Sequence, residues 1–248
     1  MAAPQVAAYE EITMAKFFRF PQTPHIAWLG EGAPRDDKVL TPDEVNELLG
    51  SEVVVEEKLD GANLGLSLSA DGELRAQNRG DYLFAPYSGQ FVRLERWLQV
   101  HENPLFDAIN EHLILFGEWC AARHSLDYAC LPDWWLLFDV YDRREQRFWS
   151  TQRRNALAQE VGLATVPCLL RKTVTVAQLT DFVTAHRSQY RDGALEGVVV
   201  RREDADWLHG RGKLVRAGFT QAIETHWRSR AIEWNRVTLT ETGGDPEE

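Results

Sequence analysis

The stretch Val53-Val54-Val55-Glu56-Glu57-Lys58-Leu59-Asp60-Gly61-Ala62-Asn63 constrains this chain more than any other. An apolar run that turns charged, ends in Lys58 and is followed at once by Asp-Gly specifies a strand delivering an amine to a tight turn. Gly61 permits a positive φ there, which would aim Lys58 inward. Leu64, Leu66 and Leu68 alternate as a second strand requires, and Asp71-Gly72 supplies the turn into a third strand over residues 73–77.

Further along, helical and sheet-forming patterns interleave. Thr41-Pro42-Asp43-Glu44 caps a short helix reaching Gly50, and Phe91, Leu94, Trp97 and Leu98 recur at helical spacing over residues 88–100. Residues 113–119 and 134–141 read as buried strands carrying Glu118 and Asp139. Thr151 to Val161 reads as a helix stopped by Gly162, and Thr175 with Gln178 forms a capping box for a helix to His186. Val198 to Val200 and Leu214-Val215 are strand-like, and a last helix is expected over Gln221 to Glu233. Residues 17–40 are aromatic and turn-rich without periodicity, which fits an ordered arm packed on the domain. The mixture predicts an α+β fold.

At 248 residues the chain suits one domain, with a core over about residues 50–220, an N-terminal arm over 1–49 and a polar tail over about 238–248. No leader pattern and no long uncharged apolar stretch is present, so a soluble, cytoplasmic protein without a membrane partner is expected. Cys120, Cys130 and Cys168 form no paired motif and read as buried thiols. The net charge of −11 argues against a polyanionic partner until its distribution is considered. Arg201, Arg202, Arg211, Lys213, Arg216, Arg228 and Arg230 crowd the last quarter, a pattern that is either a solvated basic face or a nucleic-acid surface.

On its own, Lys-x-Asp-Gly also describes a surface hairpin. Its weight comes from the motifs that succeed it in order along the chain: Gln77-Asn78-Arg79-Gly80, Phe116-Gly117-Glu118-Trp119, Phe138-Asp139-Val140-Tyr141, Glu196-Gly197-Val198-Val199-Val200 and Lys213-Leu214-Val215-Arg216. Over roughly residues 50–220 this succession resembles the covalent nucleotidyltransferases, which comprise ATP-dependent RNA and DNA ligases and mRNA capping enzymes. It is most similar to the RNA-ligase branch.

The resemblance implies a nucleotidyltransferase domain of antiparallel sheets with flanking helices. It implies ATP and Mg²⁺ or Mn²⁺ as cofactors, and three steps: adenylation of Lys58, transfer of AMP to a 5′-phosphate, and attack by a 3′-hydroxyl. Lys58 would be the nucleophile. With a reference pKa of about 10.4, only about one lysine in a few thousand is a free amine at neutral pH, so the site must lower that value. Desolvation and Lys213 would lower it, and Glu57 and Asp60 would raise it unless a bound metal offsets their charge. By the same resemblance Glu57, Asn63, Arg79, Glu118, Phe138 and Lys213 would hold the nucleotide. Arg79 would touch ribose or phosphate with its planar fork, Glu118 the ribose hydroxyls, Phe138 the adenine face, and Lys213 the α-phosphate. Glu196 and Asp60 would serve the metal, and Arg211 and Arg216 the nucleic-acid backbone. Val215 departs from the family's Lys-x-Lys pattern, and Arg216 stands one step beyond it.

About thirty residues follow Arg216, too few for the oligonucleotide-binding barrel carried by DNA ligases and capping enzymes, so no such barrel is expected. RNA is the implied partner, with DNA or a mixed duplex as one alternative and a degenerate nucleotide- or RNA-binding domain as another. A kinase that heals the ends is the implied protein partner.

Overall fold

The computed structural model describes residues 17–31, 34, 38–69, 71–222 and 231–238. The expected helix over Gln221 to Glu233, the C-terminal tail, Arg228, Arg230 and the first sixteen residues of the arm lie largely or wholly outside these.

Two open antiparallel sheets face each other across a cavity, and among the described residues neither closes into a barrel. The first sheet is built from β1 (Val53–Lys58), β8 (Cys168–Lys172), β9 (Gly197–Glu203) and β10 (Leu208–Val215), in the order β10-β9-β1-β8. The second is built from β2 (Ala62–Leu68), β3 (Leu74–Gln77), β4 (Tyr82–Leu83), β5 (Leu113–Trp119), β6 (Trp135–Asp142) and β7 (Arg147–Phe148), in the order β4-β3-β2-β5-β6-β7. The chain crosses from one sheet to the other between β1 and β2, through Leu59-Asp60-Gly61. This places Lys58 at the seam.

Strand alternation sorts each sheet into a helix-facing and a cavity-facing side. Val53, Val55, Val198, Val200 and Leu214 pack outward with Leu48 and Leu49 of α1 (Pro42–Leu49) and Leu179 and Val183 of α4 (Val176–Ala185). Leu64, Leu66, Leu115, Trp135 and Leu137 pack outward with Leu94, Trp97 and Leu105 of α2 (Leu94–Ala108) and Ala158 of α3 (Thr151–Val161). Both capping boxes expected from sequence are formed, Thr41 with Glu44 and Thr175 with Gln178. Gly162 ends α3 at φ 71°, a conformation that a side chain would strain.

Several expectations need correction. The helix read over 88–100 is a single tight turn at Gly89–Phe91 followed by α2, which continues past Pro104 to Ala108. The apolar positions Leu105 and Ala108 extend the buried stripe and carry the helix through the proline. Only Cys120 is buried, whereas Cys130 and Cys168 are exposed. The short strands β4 and β7, and the edge strand β8, have no periodic signal strong enough to be read. No helix among the described residues is long and apolar enough to cross a membrane.

The arm, as far as it is described, is threaded along the cavity. Phe18 stacks on Tyr141 with ring centroids 3.7 Å apart, and Gln77 Nε2 donates to the Phe18 carbonyl at 2.9 Å. Pro24 to Ile26 then add a short parallel pairing to β10: Lys213 N donates to Pro24 O and Ile26 N donates to Lys213 O, both at 2.8 Å.

Candidate active site

The cavity between the sheets has a volume of about 500 Å³, and its lining includes Lys58, Asn63, Arg79, Glu118, Phe138 and Lys213. Residues separated widely in sequence are brought together by register. Lys58 lies opposite Gly197, Asn63 opposite Glu118, and Lys213 opposite Val199.

Lys58 is the end of β1, and its side chain is 26% exposed. Its Nζ lies 2.7 Å from Glu196 Oε1, and the Glu196 side chain is 5% exposed. Glu196 immediately precedes β9, so the β1–β9 pairing that aligns Lys58 with Gly197 also delivers this carboxylate. The second oxygen, Oε2, is buried without a hydrogen-bond partner.

Glu118 enters from β5, and its Oε1 accepts from Gly61 N at 3.0 Å. Asn63, across the ladder, has both Oδ1 and Nδ2 buried without a partner. Leaving such atoms unsatisfied costs about 1–3 kcal/mol each. Orphaned donors and acceptors on a cavity wall are what a polar ligand would satisfy.

The local charge is unbalanced, with Glu196, Glu118 and Asp60 all acting on Lys58. Burial pushes the Glu118 carboxyl up to about 7 against the pull of Lys58, and Asp60 adds to the rise. Burial likewise lifts Glu196 to about 8, again against Lys58 and with help from Asp60 and Glu118. For Lys58, burial acts to lower the pKa, but Glu196, Glu118 and Asp60 outweigh it and hold the ammonium above its ordinary value. The expectation of a lowered lysine pKa is therefore reversed in this state of the protein.

Arg79 is exposed at the rim, after a turn in which Asn78 Oδ1 accepts from Gly80 N at 2.7 Å and Asp81 N at 2.8 Å. Phe138 presents its ring from β6 and meets Phe20 edge to face, with centroids 5.3 Å apart. Lys213 reaches the cavity from β10, its backbone clamped on both sides by the arm.

Four expected site residues differ from their expected use. Glu57 faces the far side of β1, where its Oε2 accepts from Gln189 N at 3.1 Å; alternation leaves only its backbone toward the cavity. Asp60 is taken up by the fold, its Oδ2 accepting from Ser125 N at 2.7 Å and Leu126 N at 2.8 Å. Arg211 is not a surface cation: its side chain is 9% exposed, bonded to Asp139, and its guanidinium lies over Phe20 and Phe148. Arg216 follows β10, where its Nε donates to Leu195 O at 3.3 Å, away from the cavity lining. Gly61, finally, is required for a different reason from the one expected. Its φ is not positive, but a Cβ there would lie 2.6 Å from Trp119 O.

Among the described residues the basic crowding of the last quarter is partly drawn into the fold, since Arg201 is 1% exposed and paired with Asp139, and Arg202 pairs with Glu47. Phe20 and Thr23, which line the cavity from the arm, are not anticipated from sequence. Their segment has no periodicity, and only its aromatic content marks it as packed.

The residues present fit a divalent cation in part. Glu196 Oε2 is a buried, unpartnered carboxyl oxygen, and Glu118 and Asp60 stand with it around Lys58. Among the described residues no group of three side chains could hold a metal ion alone. A magnesium-like ion takes one or two carboxylates and completes its shell with water and substrate phosphate, so Glu196 is the side chain that would hold it.

A family model described as RNA ligase matches residues 51–215. None of the curated proteins matches the chain significantly. Among solved structures, a lysine-to-alanine variant of a Naegleria gruberi RNA ligase with ATP and Mn is similar at TM-score 0.61 and 19% identity, over 73% of this chain and 55% of that one. A lysine-to-methionine variant of the same ligase with AMP and Mn aligns at TM-score 0.57 and 18% identity, over 73% of this chain and 55% of that one. An archaeal ATP-dependent RNA ligase aligns at TM-score 0.55 and 21% identity, over 80% of this chain and 48% of that one. The chain thus spans about half the length of these proteins, and the likeness to them is one of fold.

Proposed function

The chain belongs to the RNA ligase family, and from that premise we propose that it is an ATP-dependent RNA ligase in which Lys58 becomes AMP-bound before AMP passes to a 5′-phosphate. The observation that carries this reading is the partly exposed side chain of Lys58 lining a cavity of about 500 Å³, which also holds Asn63 with its two orphaned atoms, and Glu196 with one at the Lys58 amine. That the structures similar in fold contain ATP or AMP with Mn supports the same reading.

In it, Phe138 offers its face to adenine, a contact worth about 1–3 kcal/mol per stacked base. Glu118 accepts from the ribose hydroxyls, Arg79 reaches ribose or phosphate from the rim, and Lys213 faces the α-phosphate. Asn63 supplies a donor and an acceptor beside the phosphate, satisfying two atoms that the protein leaves without partners. The Lys58 Nζ must lose a proton to solvent, which reaches its partly exposed side chain, before it attacks α-phosphorus, and the departing pyrophosphate carries away the bonding electron pair. Glu196, at 2.7 Å, stands where it holds that proton on Lys58 in the resting site. A divalent cation bound through Glu196 would offset the negative charge of cluster and phosphate together.

Arg216 is retained as a contact to the nucleic-acid strand, beside rather than within the cavity. The DNA alternative and the healing kinase draw no support from the family match, so RNA is the proposed partner.

The test is the intact mass of the protein after incubation with ATP or GTP and Mg²⁺ or Mn²⁺, followed by chase with 5′-phosphorylated RNA or DNA. An AMP adduct formed from ATP and discharged by joining of RNA is expected. Absence of an adduct under all four conditions would favour a nucleotide-binding domain without sealing activity. Arg216→Ala should slow strand joining more than adduct formation, and equal loss in both would move Arg216 to the nucleotide.

A further inference from the structure

We propose that Tyr128 and Asn235 form a strut that positions the nucleophile, tying the Lys58–Gly61 turn to the segment over residues 231–238. The proposal rests on the reading of Lys58 as the residue that receives AMP.

The strut is continuous. Asn235 is 5% exposed, and its Nδ2 donates to Cys120 O at 2.7 Å and to Ala122 O at 3.4 Å. Its Oδ1 accepts from Tyr128 N at 2.8 Å. Backbone bonds run alongside: Asn235 N to Ala121 O at 2.9 Å, Arg236 N to Tyr128 O at 3.0 Å and Leu131 N to Arg236 O at 3.0 Å. Tyr128 is 2% exposed, and its hydroxyl accepts from Asp60 N at 2.8 Å. Asp60 returns the contact by accepting the Ser125 and Leu126 N–H groups. Leu59 fills the remaining space, packed with Leu126, Tyr128, Leu131 and Val237.

The two residues after Lys58 are thereby held by the loop over residues 120–131, and that loop is held by residues 231–238. The other side of Lys58 is fixed by the β1–β9 ladder. Both ends of the backbone that carries the amine are therefore anchored, and only the side chain retains freedom. A polar group is needed at position 128 for this. Phenylalanine would fill the same volume at lower desolvation cost, but it could not take the Asp60 N–H. Displacement of a nucleophile by about 1 Å can cost a hundredfold in rate, so such anchoring bears on chemistry as well as stability.

The test compares the full chain with Tyr128→Phe, Asn235→Ala and the double variant. Four quantities are read: the first-order rate of lysyl-AMP formation at saturating ATP and Mn²⁺, the KM for ATP, the melting temperature, and amide hydrogen exchange of residues 59–62 without ATP. Tyr128→Phe should lower the rate about tenfold, the worth of one hydrogen bond. It should leave KM within about twofold and speed exchange at residues 59–62. Asn235→Ala should do the same, and the double variant should be no slower than the slower single, since both act through one path. A wild-type rate with unchanged exchange in Tyr128→Phe would overturn the strut. So would multiplicative losses in the double variant, or a loss that tracks the melting temperature alone. If the wild-type protein forms no adduct, the nucleophile reading fails, and the exchange measurement still decides whether the strut exists.

Discussion

Glu56 and Lys58 lie two residues apart on the same face of β1, yet they enter clusters of opposite construction. Glu56 Oε1 meets Arg154 Nη2 at 2.6 Å, and both side chains are almost wholly buried. Around them Arg201 Nη1 meets Asp139 Oδ1 at 2.8 Å, Arg211 bonds the other Asp139 oxygen, and Arg171 Nη2 meets Glu203 Oε1 at 3.1 Å. Carbonyls complete the set: Phe138 O accepts from Arg154 at 2.6 Å, and Trp149 O accepts from Arg201 at 3.2 Å. The members come from both sheets and from α3, so the cluster joins the layers. Cations and carboxylates match almost one for one. Beside Lys58 they do not, because one ammonium faces Glu196, Glu118 and Asp60, and buried oxygens lack partners. Charge that is matched inside the protein holds the sheets together, whereas unmatched charge in the same cavity waits for something to bind.

The largest effect is expected at Lys58. Lys58→Ala should abolish AMP transfer while the protein still folds cooperatively, read by intact mass and thermal melting. An adduct in that variant would move the nucleophile elsewhere and erase the functional half of the contrast. Arg201→Met should do the reverse. It removes the cation at Asp139 Oδ1 and leaves Asp139 with Arg211 and Glu56 with Arg154, a loss of about 3 kcal/mol in chemical denaturation. Stability close to wild type would show that the matched cluster does not hold the sheets.

A smaller effect is expected at Glu196→Gln. Removing a carboxylate already lifted to about 8 costs the fold little, but it should raise the half-saturating Mn²⁺ concentration for adduct formation about tenfold, or about 1.4 kcal/mol. An unchanged metal dependence would take Glu196 out of metal binding. The smallest effect concerns Glu57, on the opposite face of β1. Burial raises its carboxyl above 4.5, only partly offset by hydrogen bonds from Ser188 and Gln189. The folded protein therefore holds that proton more tightly than the unfolded chain does. This contribution is complete below about pH 4.5 and is lost as pH rises through the folded value. Glu57→Gln does not titrate, so its stability relative to wild type should improve across that rise. A gap independent of pH would mean that Glu57 titrates alike in the folded and unfolded chain.

How much of this can be read from sequence depends on the range of the contacts. Lys58, Asn63, Glu118 and Phe138 sit in short motifs on strands with strong periodic signals, so their elements and approximate orientation are legible. Fold class comes from the same interleaving of patterns. Register between distant strands is not legible, and it is register that puts Glu196 on Lys58 and turns Arg201 and Arg211 inward. The clustered cationic positions look like a surface because no local rule pairs Arg211 with Asp139 from another sheet. Asp60 resembles a metal ligand for a related reason. The groups that occupy its carboxylate are the N–H groups of a loop that carries no pattern of its own.

The clamp of Pro24 to Ile26 on Lys213 also fixes when the site can come into being. During synthesis the arm leaves the ribosome long before β10, and β1 likewise must wait for β9 before Lys58 is aligned. A nascent chain that stops short of β10 carries Lys58 but no finished pocket around it. If Lys58 is the residue that receives AMP, such chains should remain free of it, read as the absence of an AMP adduct on chains truncated before β10.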